Sequence, residues 1–229
     1  MKRCISCHEP ILLEMRWSDL FTKQTIDPLC SECKSVLKPI VPDRICSICS
    51  RQMNEKTYAC SDCKAWSAHP LYSDVLHSNR SIYLYSEELK ELIKRFKYDR
   101  DYYLGACFSM QIKEALSSMA PYDFLVPIPM HPAKEKKRTF NQAEALLALS
   151  GLPCHHLLIR AESSSSAQAQ KNRHDRLLSQ NPFSSTKKLN NQSIVVIDDL
   201  YTTGTTIRHA AYALKQAGAG KVSSITVGR

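Results

Sequence analysis

Two carboxylates stand side by side at Asp198 and Asp199, and the run Thr202-Thr203-Gly204-Thr205-Thr206 follows almost at once. The branched apolar quartet 194–197 before them reads as a buried strand, and helical periodicity follows over 205–217. In an open parallel sheet, ligands bind outside the carboxyl ends of the strands, which is where this pair would sit. The loop offers backbone N–H groups, the positive end of a helix dipole and four threonine hydroxyls, the chemistry of a phosphate site. The carboxylates would accept hydrogen bonds from sugar hydroxyls, directly or through Mg²⁺. A phosphate cradle beside two hydroxyl acceptors complements a ribose 5-phosphate. Paired Asp at a strand end is also ordinary turn and cap chemistry; the full run is what makes the pattern specific.

A second chemistry is written in cysteine. Eight of the ten cysteines fall in four CxxC pairs, Cys4/Cys7, Cys30/Cys33, Cys46/Cys49 and Cys60/Cys63. Each pair presents two thiolates from one tight turn, and two pairs complete a tetrahedral Zn²⁺ site, so four predict two structural zinc ions. Sequential pairing is the simplest, and the spacing also permits a crossed one. Cys107 and Cys154 stand alone and read as packing residues.

The elements that must hold these groups fall into two parts. Residues 1–68 carry the knuckles with little helical periodicity, a double zinc-ribbon module too small to build a core unaided. Residues 69–229 alternate strands with helices, which implies a mostly parallel sheet flanked by helices, an α/β fold. Strands are predicted at 81–85, 123–129, 155–159, 193–197 and 222–227. Helices are predicted at 87–97 (N-capped by Ser86, with Leu89, Leu92, Ile93 and Phe96 on one face), 102–118, 142–149 and 205–217. The polar tract 162–173 reads as a mobile loop. The net charge of +9 divides into +2 for residues 1–70 and +7 for the rest. Eight thiolates around two Zn²⁺ would take the first part to about −2, leaving the second as the basic surface that suits polyanions. No apolar run approaches the ~20 residues needed to span a bilayer. The start, MKRCISCHEP, lacks the apolar segment of a secretory signal. A cytoplasmic protein without membrane insertion is therefore expected.

The segment 194–206 resembles the phosphoribosyl-diphosphate (PRPP) signature of type I phosphoribosyltransferases. The resemblance implies that Asp198 and Asp199 hold the ribose hydroxyls at the catalytic centre, with Mg²⁺ accompanying PRPP. It implies that Thr202, Thr203, Gly204, Thr205 and Thr206 hold the 5-phosphate. Tyr201 stands where an aliphatic residue is more usual. Over nearly its whole length, through the four CxxC pairs, "LKELIKRFKYDRDY", "VPIPMHPAKEKKRTFNQAEALL" and the C-terminal signature, the chain is similar to the ComF family. These are competence-associated proteins with a zinc-ribbon head and a phosphoribosyltransferase-like body. Thr139, before Phe140-Asn141-Gln142, stands where that family usually has glycine.

The resemblance also implies a diphosphate loop at 129–138, with Arg138 as the leading contact among Lys134, Lys136, Lys137 and Arg138. A loop at 160–176 would close over the reacting centre with Arg160, Lys171 and Arg173. Three functions follow. The first is a competence protein of DNA uptake that binds PRPP and handles single-stranded DNA beside an ATP-driven DNA translocase or helicase. The second is an active phosphoribosyltransferase on an unidentified acceptor. The third is a zinc-ribbon nucleic-acid binder on a relic scaffold. Basic and aromatic residues alternate in "LIKRFKYDRDYY" (92–103), which reads as a single-strand contact surface or as an amphipathic helix with Phe96 inward.

Overall fold

A computed structural model describes residues 2–11, 27–55, 57–161 and 181–229. Its strands are β1 (Ser78–Tyr83), β2 (Phe124–Pro127), β3 (Leu158–Arg160), β4 (Phe183–Ser185), β5 (Ile194–Leu200) and β6 (Val222–Gly228). Its α-helices are α1 (Ser31–Ser35), α2 (Ser61–Ser67), α3 (Glu87–Tyr98), α4 (Ser109–Ser117), α5 (Pro132–Arg138), α6 (Gln142–Leu149) and α7 (Thr205–Gln216). Four strands form a parallel sheet in the order β1-β6-β5-β2, and β3 and β4 pair antiparallel beside it.

The sheet is covered on both faces, as the alternation of β5 dictates. Val195 and Ile197 join the apolar cluster with α3, α4 and α6, whereas Ile194 and Val196 join the cluster with α7. α3 follows its sequence pattern closely. Ser86 accepts a hydrogen bond from the Leu89 N–H (3.3 Å), and Leu89, Leu92, Ile93 and Phe96 are buried. Each such side chain contributes ~1.5–3 kcal/mol on burial.

The cysteine segments are packed into the same clusters as the sheet. Cys4, Leu29 and Leu37 lie with the α3 face, and Cys46, Cys49, Cys60, Cys63 and Trp66 lie with the α7 face. The Arg95 guanidinium donates to the Ser6 carbonyl (2.9 Å), tying the first knuckle to α3. A buried polar network ties the second knuckle to the sheet. The Ser50 hydroxyl donates to the Asn79 carbonyl (2.7 Å), and the Asn79 amide donates to Ser81 (2.8 Å) and accepts from Ser224 (2.9 Å).

Several boundaries differ from the sequence reading, each for a physical reason. β1 begins at Ser78 because Asn79 and Ser81 are satisfied internally and so occupy buried strand positions despite their polarity. The region 102–118 is a 3₁₀ helix, Tyr102–Phe108, followed by α4. Gly105 lets that turn approach Phe96 and Leu149, whose side chains would lie 2.9 Å from an added Cβ. The segment 129–138, read as a loop, contains α5, started by Pro132 and capped by the His131 ring, which accepts from the Ala133 N–H. β4 was not anticipated. Cys107 is buried as expected, whereas Cys154 is exposed, with its Sγ 3.7 Å from the His156 ring. The tract 162–173, and Lys171 and Arg173 with it, lie outside the described residues. Among the described residues no helix is long and apolar enough to cross a membrane.

Candidate functional site

β5 does not stop before the acidic pair. Its ladder with β6 runs on, Asp198 opposite Thr226 and Leu200 opposite Gly228, so both carboxylates are fixed by strand geometry. The pleat assigns Asp198 to the face of Ile194 and Val196 and Asp199 to the face of Val195 and Ile197. On the second face lies α3, where Lys97 follows Ile93 by one helical turn, and its ammonium pairs with the Asp199 carboxylate. On the first face the Arg160 guanidinium, at the end of β3, bears on Asp198, and its Nε is buried without a hydrogen-bond partner among the described residues. Asp198 also accepts from the Asp199 N–H (2.9 Å). Burial, with the neighbouring Asp199 charge, pushes the Asp198 carboxyl up to about 8. Burial and the Asp199 charge thus disfavour a second negative charge at Asp198, and a cation bound there would favour release of that proton.

Beyond Leu200 the chain turns into α7. Gly204 caps the helix with φ +80°, a left-handed conformation open to glycine. A Cβ there would also run into the Tyr201 hydroxyl and the Arg208 guanidinium. The Thr203 and Thr205 hydroxyls lie 2.9 Å apart, and the Thr203 carbonyl accepts from the Trp66 indole N–H (2.9 Å). The Thr205 N–H donates to the Thr203 hydroxyl (3.5 Å), and the Thr206 and Ile207 N–H groups, in the first turn of α7, lack intrahelical acceptors and are available to an anion. Acidic pair and loop are therefore contiguous at the carboxyl edge of the sheet.

The basic segment contributes differently along its length. The Lys134 ammonium is held below its ordinary range by partial desolvation and by the nearby Arg138, Arg160 and Lys97 charges. These four cations form one positive neighbourhood beside the acidic pair. The Arg138 guanidinium lies over the Tyr98 ring (4.9 Å) and donates to Gln142 Oε1 (3.1 Å) and the Tyr98 hydroxyl (3.1 Å). Lys136 and Lys137 are exposed. Thr139 ends α5 with φ +69°, the conformation for which glycine is the usual residue. In the triplet that follows, Phe140 packs on Phe96 and Tyr102. Asn141 caps α6 through the Ala143 N–H (2.9 Å) and donates to the Ile128 carbonyl (3.0 Å), anchoring α6 to the end of β2.

The cysteines converge as two sets, Cys4/Cys7/Cys30/Cys33 and Cys46/Cys49/Cys60/Cys63, the ligand atoms within each set lying within 4.8 Å of one another. Cys7 and Cys30 Sγ are 3.7 Å apart, and Cys49 and Cys60 Sγ are 3.6 Å apart. Four sulfurs about 2.3 Å from a tetrahedral Zn²⁺ would be about 3.8 Å apart, so both donor sets fit that ion. Backbone N–H groups already point at sulfur, Cys33 to Cys30 (3.4 Å) and Cys60 to Cys46 (3.3 Å), as thiolates require. The second set is wholly buried, while Cys7 of the first is exposed.

Sequence reasoning missed Lys97, Trp66, Arg208 and Arg229 as neighbours of the site. Lys97 lay inside a segment read either as a single-strand contact surface or as an amphipathic helix. Arg208, one turn after Gly204, carries no local signal, because the Cys63 sulfur it approaches is 145 residues away along the chain.

Comparison with known proteins agrees with this arrangement. The phosphoribosyl transferase domain family matches residues 146–228. Competence protein ComFC of Bacillus subtilis is 35% identical over 98% of this chain and 93% of its own length. Its namesake from Streptococcus pneumoniae is 31% identical over 99% of this chain and 100% of its own. The DNA utilization protein YhgH of Salmonella typhimurium is 24% identical over 86% of this chain and 95% of its own. With two relatives above 30% identity along nearly its whole length, and with a parallel sheet and two cysteine sets of the expected kind, the chain belongs to the ComF family of competence proteins.

Proposed function

We propose that this chain serves competence by binding PRPP at the carboxyl edge of its sheet while handling single-stranded DNA in the cytoplasm beside an ATP-driven translocase. The observation that carries the proposal is the juxtaposition of Asp198 and Asp199 with the Gly204 loop at the start of α7. Asp198 and Asp199 accept the ribose hydroxyls, directly or through Mg²⁺, and the 202–206 loop holds the 5-phosphate. Lys97, Lys134, Arg138 and Arg160 supply positive charge to the diphosphate, and a ligand reaching Asp199 must share it with Lys97 or displace it. Zn²⁺ in each cysteine set would crosslink segments with few apolar residues of their own, and residues 1–68 would act as the head of a body formed by 69–229.

The DNA reading rests on the surface beside the site. Phe96 is fully buried while Tyr98 and Tyr103 are 62% and 73% exposed, so the end of α3 and the 3₁₀ turn after it present aromatic residues outward. Exposed Lys94 and Arg100 flank them, a combination that suits stacked bases and phosphates. The names of the relatives, competence and DNA utilization, favour the same role.

The test is transformation in a naturally competent host whose only copy is Asp198→Asn with Asp199→Asn. The amides bring donors where acceptors are needed, so transformation should fall about tenfold or more, the equivalent of ~1.4 kcal/mol of lost binding, at unchanged protein level. Wild-type transformation by the double variant would remove PRPP from the competence role.

A further inference from the structure

Two arginines with buried guanidinium groups lie near the second cysteine set and the 202–206 loop. Arg208, 3% exposed, lies with one guanidinium nitrogen 3.6 Å from Cys63 Sγ, and another donates to the Tyr201 hydroxyl. Its guanidinium also lies 4.9 Å over the Trp66 ring, and Trp66, in the helix that carries Cys63, donates to the Thr203 carbonyl. Arg229 lies 4.5 Å over the opposite partner, the Tyr201 ring, and its charge bears on Cys49. All three of its guanidinium nitrogens are buried without hydrogen-bond partners among the described residues.

Buried guanidinium groups need nearby negative charge. Asp199 is paired with Lys97, and the ionisable groups that Arg208 and Arg229 approach are the Tyr201 phenol and the thiols of the second set. Four thiolates around Zn²⁺ carry a net charge of about −2, which two arginines neutralise. The same arginines fix Tyr201, the residue against which Gly204 is packed so closely that no Cβ fits. Metal centre, Arg208, Tyr201 and the loop therefore form one contiguous contact chain, with Trp66 to Thr203 as a parallel link.

We propose that Arg208 is a positioning residue that couples the Cys46/Cys49/Cys60/Cys63 centre to the 202–206 loop, so that zinc occupancy there and PRPP binding form one linked equilibrium. The inference rests on the PRPP reading above and adds its regulation: the loop is set for the phosphate only while the second centre is loaded. The first cysteine set, on the α3 face, has no part in this coupling.

Linkage is reciprocal, so each ligand must raise affinity for the other by the same factor. The experiment is a competition titration of the full two-zinc chain against a zinc-selective chelator, with and without PRPP and Mg²⁺. In the wild type, PRPP should raise affinity for the more tightly held zinc about fivefold or more. Arg208→Gln and Trp66→Phe should each bring that factor toward one while the chain still binds two zinc ions. Should Arg208→Gln fail to fold, Trp66→Phe decides, since it keeps an aromatic ring at that position while removing the indole N–H that reaches the loop. A wild type that binds PRPP with unchanged zinc affinity overturns the coupling alone, as do variants that keep the wild-type factor. A wild type that binds no PRPP overturns the underlying reading, and the coupling with it.

Discussion

Asp199 meets Lys97 because strand alternation points it toward α3, and Asp198 faces the Arg160 side because the next residue in a pleat points the other way. Of the two, only Asp199 has an ion-pair partner among the described residues, and its charge still raises the Asp198 carboxyl. The placement of the acidic pair at a strand's end and of the threonine–glycine loop at a helix start was legible in the sequence, since an apolar run before them and helical periodicity after them mark both boundaries. Lys97 and Arg208 were not legible, because each reaches its partner from a distant element and neither sits in a distinctive local pattern. At Gly204 two constraints coincide, a positive φ and the closeness of Tyr201 and Arg208. Gly204→Ala should cost at least ~1–2 kcal/mol from the left-handed backbone alone, lowering Tm by about 2–8 °C for a chain of this size. Thermal melts with and without PRPP check this. A variant with wild-type Tm and wild-type PRPP response would show that the loop does not need the observed conformation.

The helices read best from sequence were those with a complete local signature. α3 has a serine cap and four apolar residues on one face, and α6 has an asparagine cap and a Gly151-Pro153 stop, so local and tertiary preferences agree. β4 escaped because Phe183–Ser185 offers one apolar residue and no alternation, and its pairing with β3 crosses the long 161–181 interval. α5 escaped because four of its seven residues are Lys or Arg, which hides a helix inside a charge run. The cysteine elements were legible in spacing, whereas their packing into the sheet's own clusters was not. That packing has a measurable consequence. The chain should hold two zinc ions, and a chelator should take one quickly, from the set with exposed Cys7, and the other slowly, from the wholly buried set. Apparent zinc binding energies of ~10–16 kcal/mol in small modules mean that loss of the second ion should destabilise the α7 face as well as the knuckle. Metal analysis with a chelation time course checks this. One zinc per chain, or release in a single phase, would contradict it.

Across the whole molecule, one parallel sheet brings three chemistries to neighbouring places. Its carboxyl edge carries the acidic pair and the 202–206 loop, its α7 face holds the buried cysteine set, and exposed Tyr98 ends the helix on its other face. The parallel order was foreseeable from alternating strand and helix patterns, because such connections leave few topologies. The central claim is that this edge binds PRPP, and the direct measurement is the melting temperature of the zinc-loaded chain with and without PRPP and Mg²⁺. A ligand at a hundredfold excess over Kd stabilises the folded state by about 2.7 kcal/mol, worth roughly 5–10 °C at this chain length. The account predicts that shift in the wild type and its loss in Asp198→Asn with Asp199→Asn. A wild-type chain whose melting temperature does not move with PRPP at saturating Mg²⁺ would contradict it.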